Sequence, residues 1–235
     1  MDISQRQELI ELYRGLRVTD VSDGMDRVLL HDRGLVDRDI RPIYRDLEGF
    51  SHRIYGFAHT VRFVPTNRPI TARTPEEMEE FIRNWYRNIS PGPIRDDIQS
   101  GDVIVIDAAD LDVGFIGSNN CLSWLNAGAV GVVTNGGARD TDELIKQKCP
   151  VYSRYISRTI RPGRLEYDRS NVPVNLGGVL VRPGDLVVAD GDGVIVVPIE
   201  QARQVGELAW KVAKGDKETR RRLYEQRGLE LDSTV

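Results

Sequence analysis

One segment limits the architecture more than any other. Between Gly101 and Ser153, apolar β-branched runs alternate with helix-like stretches. Val103-Ile104-Val105-Ile106 contains no polar member, the pattern of a strand covered on both faces. Gly117-Ser118-Asn119-Asn120 then opens a helix over roughly 119–127, which Gly128 closes. Val130-Gly131-Val132-Val133-Thr134 is a second buried strand, Asn135-Gly136-Gly137 reads as a loop, and Thr141–Lys148 as a short helix. Pro150-Val151-Tyr152-Ser153 starts a third strand. Strands that alternate with helices in this way pair in parallel through right-handed crossovers. An α/β fold with a parallel βαβ core is therefore expected.

The flanks add to this core. Ile3, Leu9, Ile10, Leu12, Tyr13 and Leu16 recur at helical spacing, giving a helix over 3–16. Thr19 or Ser22 can cap a second, short helix. IYGFAHTVRFV, residues 54–64, is strand-like. Residues 65–98 combine Pro65, Pro69, Pro75, Pro91 and Pro93 with the helical run PEEMEEFIRNWYRNI, and read as an insertion. In the last third, Gly177-Gly178, Pro183-Gly184-Asp185 and Asp190-Gly191-Asp192-Gly193 divide short apolar strands, so antiparallel hairpins are expected. Residues 200–227 form a charged C-terminal helix. A faint echo links Gly101-Asp102-(apolar)-Asp107 with Gly184-Asp185-(apolar)-Asp190.

Length and charge bound the function. At 235 residues the chain is expected to be one domain, 1–235. The net charge of −4 argues against a nucleic-acid partner. No apolar run of about 18 residues or more occurs and the N-terminus lacks a signal peptide's apolar stretch, so no membrane partner and a cytoplasmic location are expected. Cys121 and Cys149 are the only cysteines, too few for a disulfide framework. Arginine supplies 27 of the 32 cationic side chains, a bias that suits the bidentate handling of carboxylates.

The segment GSNNCLSWLNAGAVGVVTNGGARDTD, residues 117–142, holds the candidate chemistry. It supplies two strand-to-helix turns from neighbouring parallel strands, where α/β sheets bind ligands. The amides of Asn119 and Asn120 fall at a helix N-terminus, a natural cradle for a carboxylate. Arg139 offers a planar fork for a carboxylate or an enolate oxygen. Asp140 offers one hard oxygen ligand for Mg²⁺. A purely structural alternative stays open here: Ser118 or Asn119 can be an N-cap, and Asp140 can cap the next helix. Elsewhere the signals are weak. His31, His52 and His59 lack metal-ligand spacing, Cys121 reads as core, Asp190 and Asp192 as hairpin residues, and Trp85-Tyr86 as an interface more than a lid. A Schiff-base mechanism needs a desolvated lysine. Lys146 and Lys148 sit at an exposed helix end and the other three on the C-terminal helix.

NGGARD, PVYSR and NVPVNLGGVLVRPGDLVVADGDGVIVVP together resemble the RraA-like family, and LRVTDVSDGMD looks like its N-terminal segment. The family joins regulators of ribonuclease activity with divalent-metal-dependent class II pyruvate aldolases. The resemblance covers about 8–64 and 100–228 and implies the swivelling β/β/α fold, assembled as a homotrimer or hexamer. It implies a Mg²⁺- or Mn²⁺-dependent lyase, of the 4-hydroxy-4-methyl-2-oxoglutarate aldolase and oxaloacetate decarboxylase type, acting on a small 2-oxo acid. In that branch Asp140 would hold the metal and Arg139 would bind substrate and stabilise the enolate. The turn formed by Gly117, Ser118, Asn119 and Asn120 would bind the substrate carboxylate. Asp216 or Glu218, from a neighbouring subunit's C-terminal helix, would add an acid. One position departs from the pattern: an acidic residue follows the glycine in the aldolases, and here it is Ser118. The alternatives are thus a non-catalytic regulator of ribonuclease activity, or a different metal-dependent lyase or isomerase on a sugar-derived acid.

Overall fold

The computed structural model describes residues 1–91 and 97–235. In chain order the elements are α1 (Ile3–Tyr13), α2 (Val18–Asp26), β1 (Arg41–Pro42), β2 (Ile54–Pro65), α3 (Pro75–Asn84) with a π-helical extension over Trp85–Ile89, β3 (Asp102–Asp107) and β4 (Gly114–Ile116). Then follow α4 (Ser118–Asn126), β5 (Ala129–Ala138), α5 (Thr141–Lys146), β6 (Val151–Ile156), β7 (Leu165–Ser170), β8 (Val174–Leu176), β9 (Val179–Val181), β10 (Leu186–Asp190), β11 (Gly193–Val197) and α6 (Ala202–Arg227).

The expected α/β core is present. β2, β3, β5 and β6 are parallel neighbours, with α4 and α5 in the last two crossovers. One mixed sheet runs β1-β6-β5-β3-β2-β10-β11, with β4 on β5 and β7 on β2; β8 and β9 form a separate hairpin. The β10–β11 and β8–β9 pairs are antiparallel, as their Gly-rich turns imply.

The pleat of the strands sorts the core. On β2, Phe57, Val61 and Phe63 face one way and Ile54 and Ala58 the other. The Phe57 face is covered by helices at both ends. α4 and α5 bring Cys121, Trp124 and Leu144 to one end, and α1, α2 and α6 bring Tyr13, Val21, Val205 and Ala209 to the other. The opposite face meets itself: Val103, Val105 and Val133 pack with Val187 and Val196, and the β8–β9 hairpin closes the space with Val174, Leu176 and Val181. A strand buried on both faces has no polar alternation, which is why β3 reads as a continuous apolar run.

Four local readings change. Neither Thr19 nor Ser22 starts α2; the cap position is Arg17, and Asp20 accepts its backbone N–H at 2.8 Å. Asn135-Gly136-Gly137 is strand, not loop. A Cβ on Gly136 would lie 2.7 Å from Ala108 Cβ, and one on Gly137 would lie 2.6 Å from Ser157 Cβ. These glycines let neighbours approach closely and do not turn the chain. β7 was not anticipated; it pairs with the far half of β2. The 65–98 insertion forms α3 and the π-helical turn, and residues 92–96, including Pro93, lie outside the described residues. Trp85 is buried in its own chain: its Nε1 donates to Leu165 O at 2.9 Å and its ring lies 5.2 Å from Phe81.

Candidate active site

Two turns meet at the carboxyl ends of β4 and β5. The first is Gly117, between β4 and α4. Gly117 takes the N-cap position, with extended backbone at φ −110°, and no side chain caps the helix. Ser118 is therefore the first helical residue; neither it nor Asn119 is the cap. The leading amides of α4 have no intrahelical acceptor, and the helix dipole adds positive potential there. Asn120 Nδ2 reaches back towards Phe115 O, at 3.5 Å.

The second turn is Arg139-Asp140. Arg139 N donates to Ile116 O at 2.8 Å, which ties this turn to β4. Asp140 adopts the left-handed conformation, φ 54° and ψ 43°, which aspartate tolerates better than most residues. That kink ends β5, starts α5, and sets the carboxylate over Gly117. A Cβ on Gly117 would stand 2.5 Å from Asp140 Oδ2, so only glycine leaves room for the carboxylate there. Asp140 occupies the N-cap position of α5 but makes no capping hydrogen bond. Among the described residues its one side-chain hydrogen-bond partner is Arg139 Nε, at 3.3 Å. The carboxylate is therefore still available to a ligand. Arg139 Nη1 donates to Thr159 O at 3.1 Å, which fixes the far side of the guanidinium.

These groups line a cavity of about 240 Å³, together with Tyr86, Gly114, Phe115, Gly117, Asn119, Asn120 and Arg161. Of the site residues expected from sequence, Gly117, Asn119, Asn120, Arg139 and Asp140 are brought together; Ser118 is beside the cavity and not in its lining. Asp216 and Glu218 lie on α6 and do not line the cavity of their own chain. Asp216 instead pairs with Arg17 at 3.1 Å. Arg161 carries no signal in the sequence, whereas Tyr86, read there as an interface residue more than a lid, lines the cavity. Arg161 is buried, and burial pushes its pKa down to about 10.

Other polar groups are committed elsewhere. Asp190 accepts from the backbone of Val18 and Asp192, at 2.9 and 2.8 Å. Cys121 and Cys149 are buried and free. His59 lies in β2, 3.7 Å from Asp102, and burial lowers its pKa.

Among the described residues no group of three His, Cys, Asp or Glu side chains could enclose a metal ion. A site built on Asp140 would have a single protein carboxylate. That fits Mg²⁺, which commonly keeps several waters and takes one or two carboxylates besides its substrate. It does not fit a closed structural site such as those of zinc.

A family model described as RraA-like, Aldolase/RraA, matches residues 18–196. The chain belongs to the RraA-like family. A relative from Deinococcus radiodurans, provisionally named 4-hydroxy-4-methyl-2-oxoglutarate aldolase, is 32% identical over 160 residues, covering 68% of this chain and 86% of that protein. A relative of the same provisional name from Halalkalibacterium halodurans is 37% identical over 125 residues, 52% of this chain and 58% of its own length. The solved structure of Streptomyces coelicolor RraAS2, described as an unusual member of the RNase ES inhibitor RraA family, superposes with a TM-score of 0.73 at 22% identity, covering 92% of this chain and 98% of that one. At that identity the likeness shows the RraA-like fold alone.

Proposed function

We propose that this RraA-like protein is a divalent-metal-dependent carbon–carbon lyase acting on a small 2-oxo acid. One observation carries the reading: Asp140, although placed as a helix cap, keeps its carboxylate uncapped over Gly117 and beside the Arg139 fork. The aldolase names of the relatives support the same reaction class.

The substrate's carboxylate would sit on the leading amides of α4, where donors and dipole both favour an anion. Arg139 would lie beside the keto oxygen, with its orientation held by Thr159 O. When the bond between C3 and C4 breaks, its electron pair moves onto the 2-oxo unit as pyruvate enolate; a 4-hydroxyl gives up its proton as it becomes the departing carbonyl, or a 4-carboxylate departs as CO₂, and the enolate takes a proton at C3. Arg139 would stabilise the negative charge that develops on the oxygen, a preorganised electrostatic effect for which one lost donor costs roughly 10²–10³ in rate. Asp140 would hold Mg²⁺ or Mn²⁺, which supplies Lewis-acid polarisation of the keto group. Ser118 cannot act as a base near neutral pH, so an acid that moves protons here must come from elsewhere. Asp216 or Glu218 of a neighbouring subunit in a trimer or hexamer would serve.

The test is pyruvate release from oxaloacetate and from 4-hydroxy-4-methyl-2-oxoglutarate, with Mg²⁺, Mn²⁺ or chelator. Metal-dependent release is expected, and no release with any divalent ion would overturn the reading. Ser118 also favours a second reading, a non-catalytic regulator of ribonuclease activity. In that case the protein would slow an RNase E-type enzyme and release no pyruvate.

A further inference from the structure

Among the described residues, Arg6 and Arg154 are well-shielded cations with acidic partners. Arg6 pairs with Asp102 at 2.6 Å and Arg154 with Asp37 at 3.0 Å. Arg161 does not. It is only 4% exposed, yet among the described residues its guanidinium has no carboxylate partner; Nη1 donates to Pro91 O at 3.2 Å, and the Tyr86 side chain is its other polar neighbour. Its surroundings are aromatic, with ring centroids at 4.5 Å (Phe115), 4.9 Å (Tyr86) and 5.7 Å (Phe63). Aromatic faces attract a cation but do not neutralise it. A buried charge without a counter-ion destabilises a fold, and such a residue persists where function requires it. The cavity supplies the reason: Arg161 lines the same 240 Å³ as Arg139, Asp140 and the α4 turn.

We propose that Arg161 is a specificity-determining residue that receives a second anionic group of the substrate. Arg139 and the α4 amides hold the 2-oxo acid head, and Arg161 reads the tail. The insertion builds this subsite, because Tyr86 covers the guanidinium and Pro91 O anchors it. The proposal rests on the 2-oxo acid reading above and adds to it a requirement for charge at the far end of the ligand.

The test uses two acids of equal chain length, 2-oxoglutarate and 2-oxopentanoate, which differ only in the tail carboxylate. Phosphonopyruvate reports whether a phosphonate tail serves as well. Binding to the full chain is measured by calorimetry in Mg²⁺ buffer, for wild type, Arg161→Met and Arg161→Lys. Wild type should prefer 2-oxoglutarate. Arg161→Met should weaken it by roughly tenfold or more, the order expected for one charge-assisted hydrogen bond. The same variant should leave 2-oxopentanoate unchanged and melt no lower than wild type, and Arg161→Lys should keep part of the preference. If Arg161→Met binds 2-oxoglutarate as wild type does, the subsite proposal falls and the 2-oxo acid reading survives. If both ligands weaken together with a lower melting temperature, Arg161 is structural and the proposal also falls. If Arg161→Met does not fold, an unaltered preference in Arg161→Lys rejects the subsite. If wild type binds neither acid, both readings fall.

Discussion

Replacing Gly117 with alanine adds one methyl group against Asp140. The backbone accepts it, since φ is −110° and not in the left-handed region. The side chain does not: the new Cβ would lie 2.5 Å from Asp140 Oδ2, whereas ordinary contacts begin at 3.4 Å. The carboxylate must retreat by about 1 Å, and a misplacement of that size costs on the order of 10²-fold in rate. The fold should lose little. Asp140 is partly exposed and can swing outward, and alanine at a helix N-cap costs about 1 kcal/mol relative to better caps. Gly117→Ala is therefore expected to unfold at nearly the wild-type urea midpoint while metal-dependent pyruvate release drops about a hundredfold. Wild-type activity in a variant confirmed to carry the alanine would refute the placement of Asp140 at the reacting centre.

Three further outcomes follow from the same geometry. His59 is buried with its pKa lowered from 6.5, so the unfolded chain binds its proton more readily; stability is held above the ordinary histidine value and lost as pH falls below it. Urea midpoints should fall between about pH 7 and pH 5 with at most ~1.4 kcal/mol per pH unit from this group, and His59→Gln should flatten the slope, with the similarly shifted His52 supplying the remainder. Trp85→Ala removes a buried ring and its bond to Leu165 O, and should cost about 3–5 kcal/mol in chemical denaturation. Ser118→Asp restores an acid at the first position of α4; it should raise lyase activity and add roughly 0.3–1 kcal/mol through the helix dipole, both measurable on the purified variant.

Much of the fold was legible because its signals are local. Val103–Ile106 and Val130–Val133 are apolar on both faces, and only a sheet covered on both sides requires that. Even the faint echo has a physical basis. Asp102 accepts from Gln99 N and Asp185 from Arg182 N, each from three residues upstream at the entry to a strand. Asp107 accepts from Ala109 N and Asp190 from Asp192 N, each from two residues downstream at the exit. What stayed hidden depends on contacts distant in sequence. Leu165-Glu166-Tyr167-Asp168 alternates for only four residues and ends in Arg169-Ser170, a weak signal by itself, and β7 forms because the far half of β2 needs a partner. Asn135-Gly136-Gly137 has turn composition, but Asn135 is bonded to Ala108, Asp107 and Asn175 inside the sheet. Arg161 is one of 27 arginines, and sequence does not distinguish the buried ones. The Arg139-Asp140 pair could be singled out because both residues sit directly after a buried parallel strand.

Mn²⁺ binding to wild type and to Asp140→Asn, followed by electron paramagnetic resonance in the presence of oxalate, reports whether Asp140 holds the metal. Asparagine keeps the size of the side chain and removes its charge, and Asp140 makes no capping bond whose loss would disturb α5. One Mn²⁺ per chain is expected in wild type, and greatly weakened binding in a variant that melts normally. Equal Mn²⁺ binding in both proteins would contradict that role for Asp140.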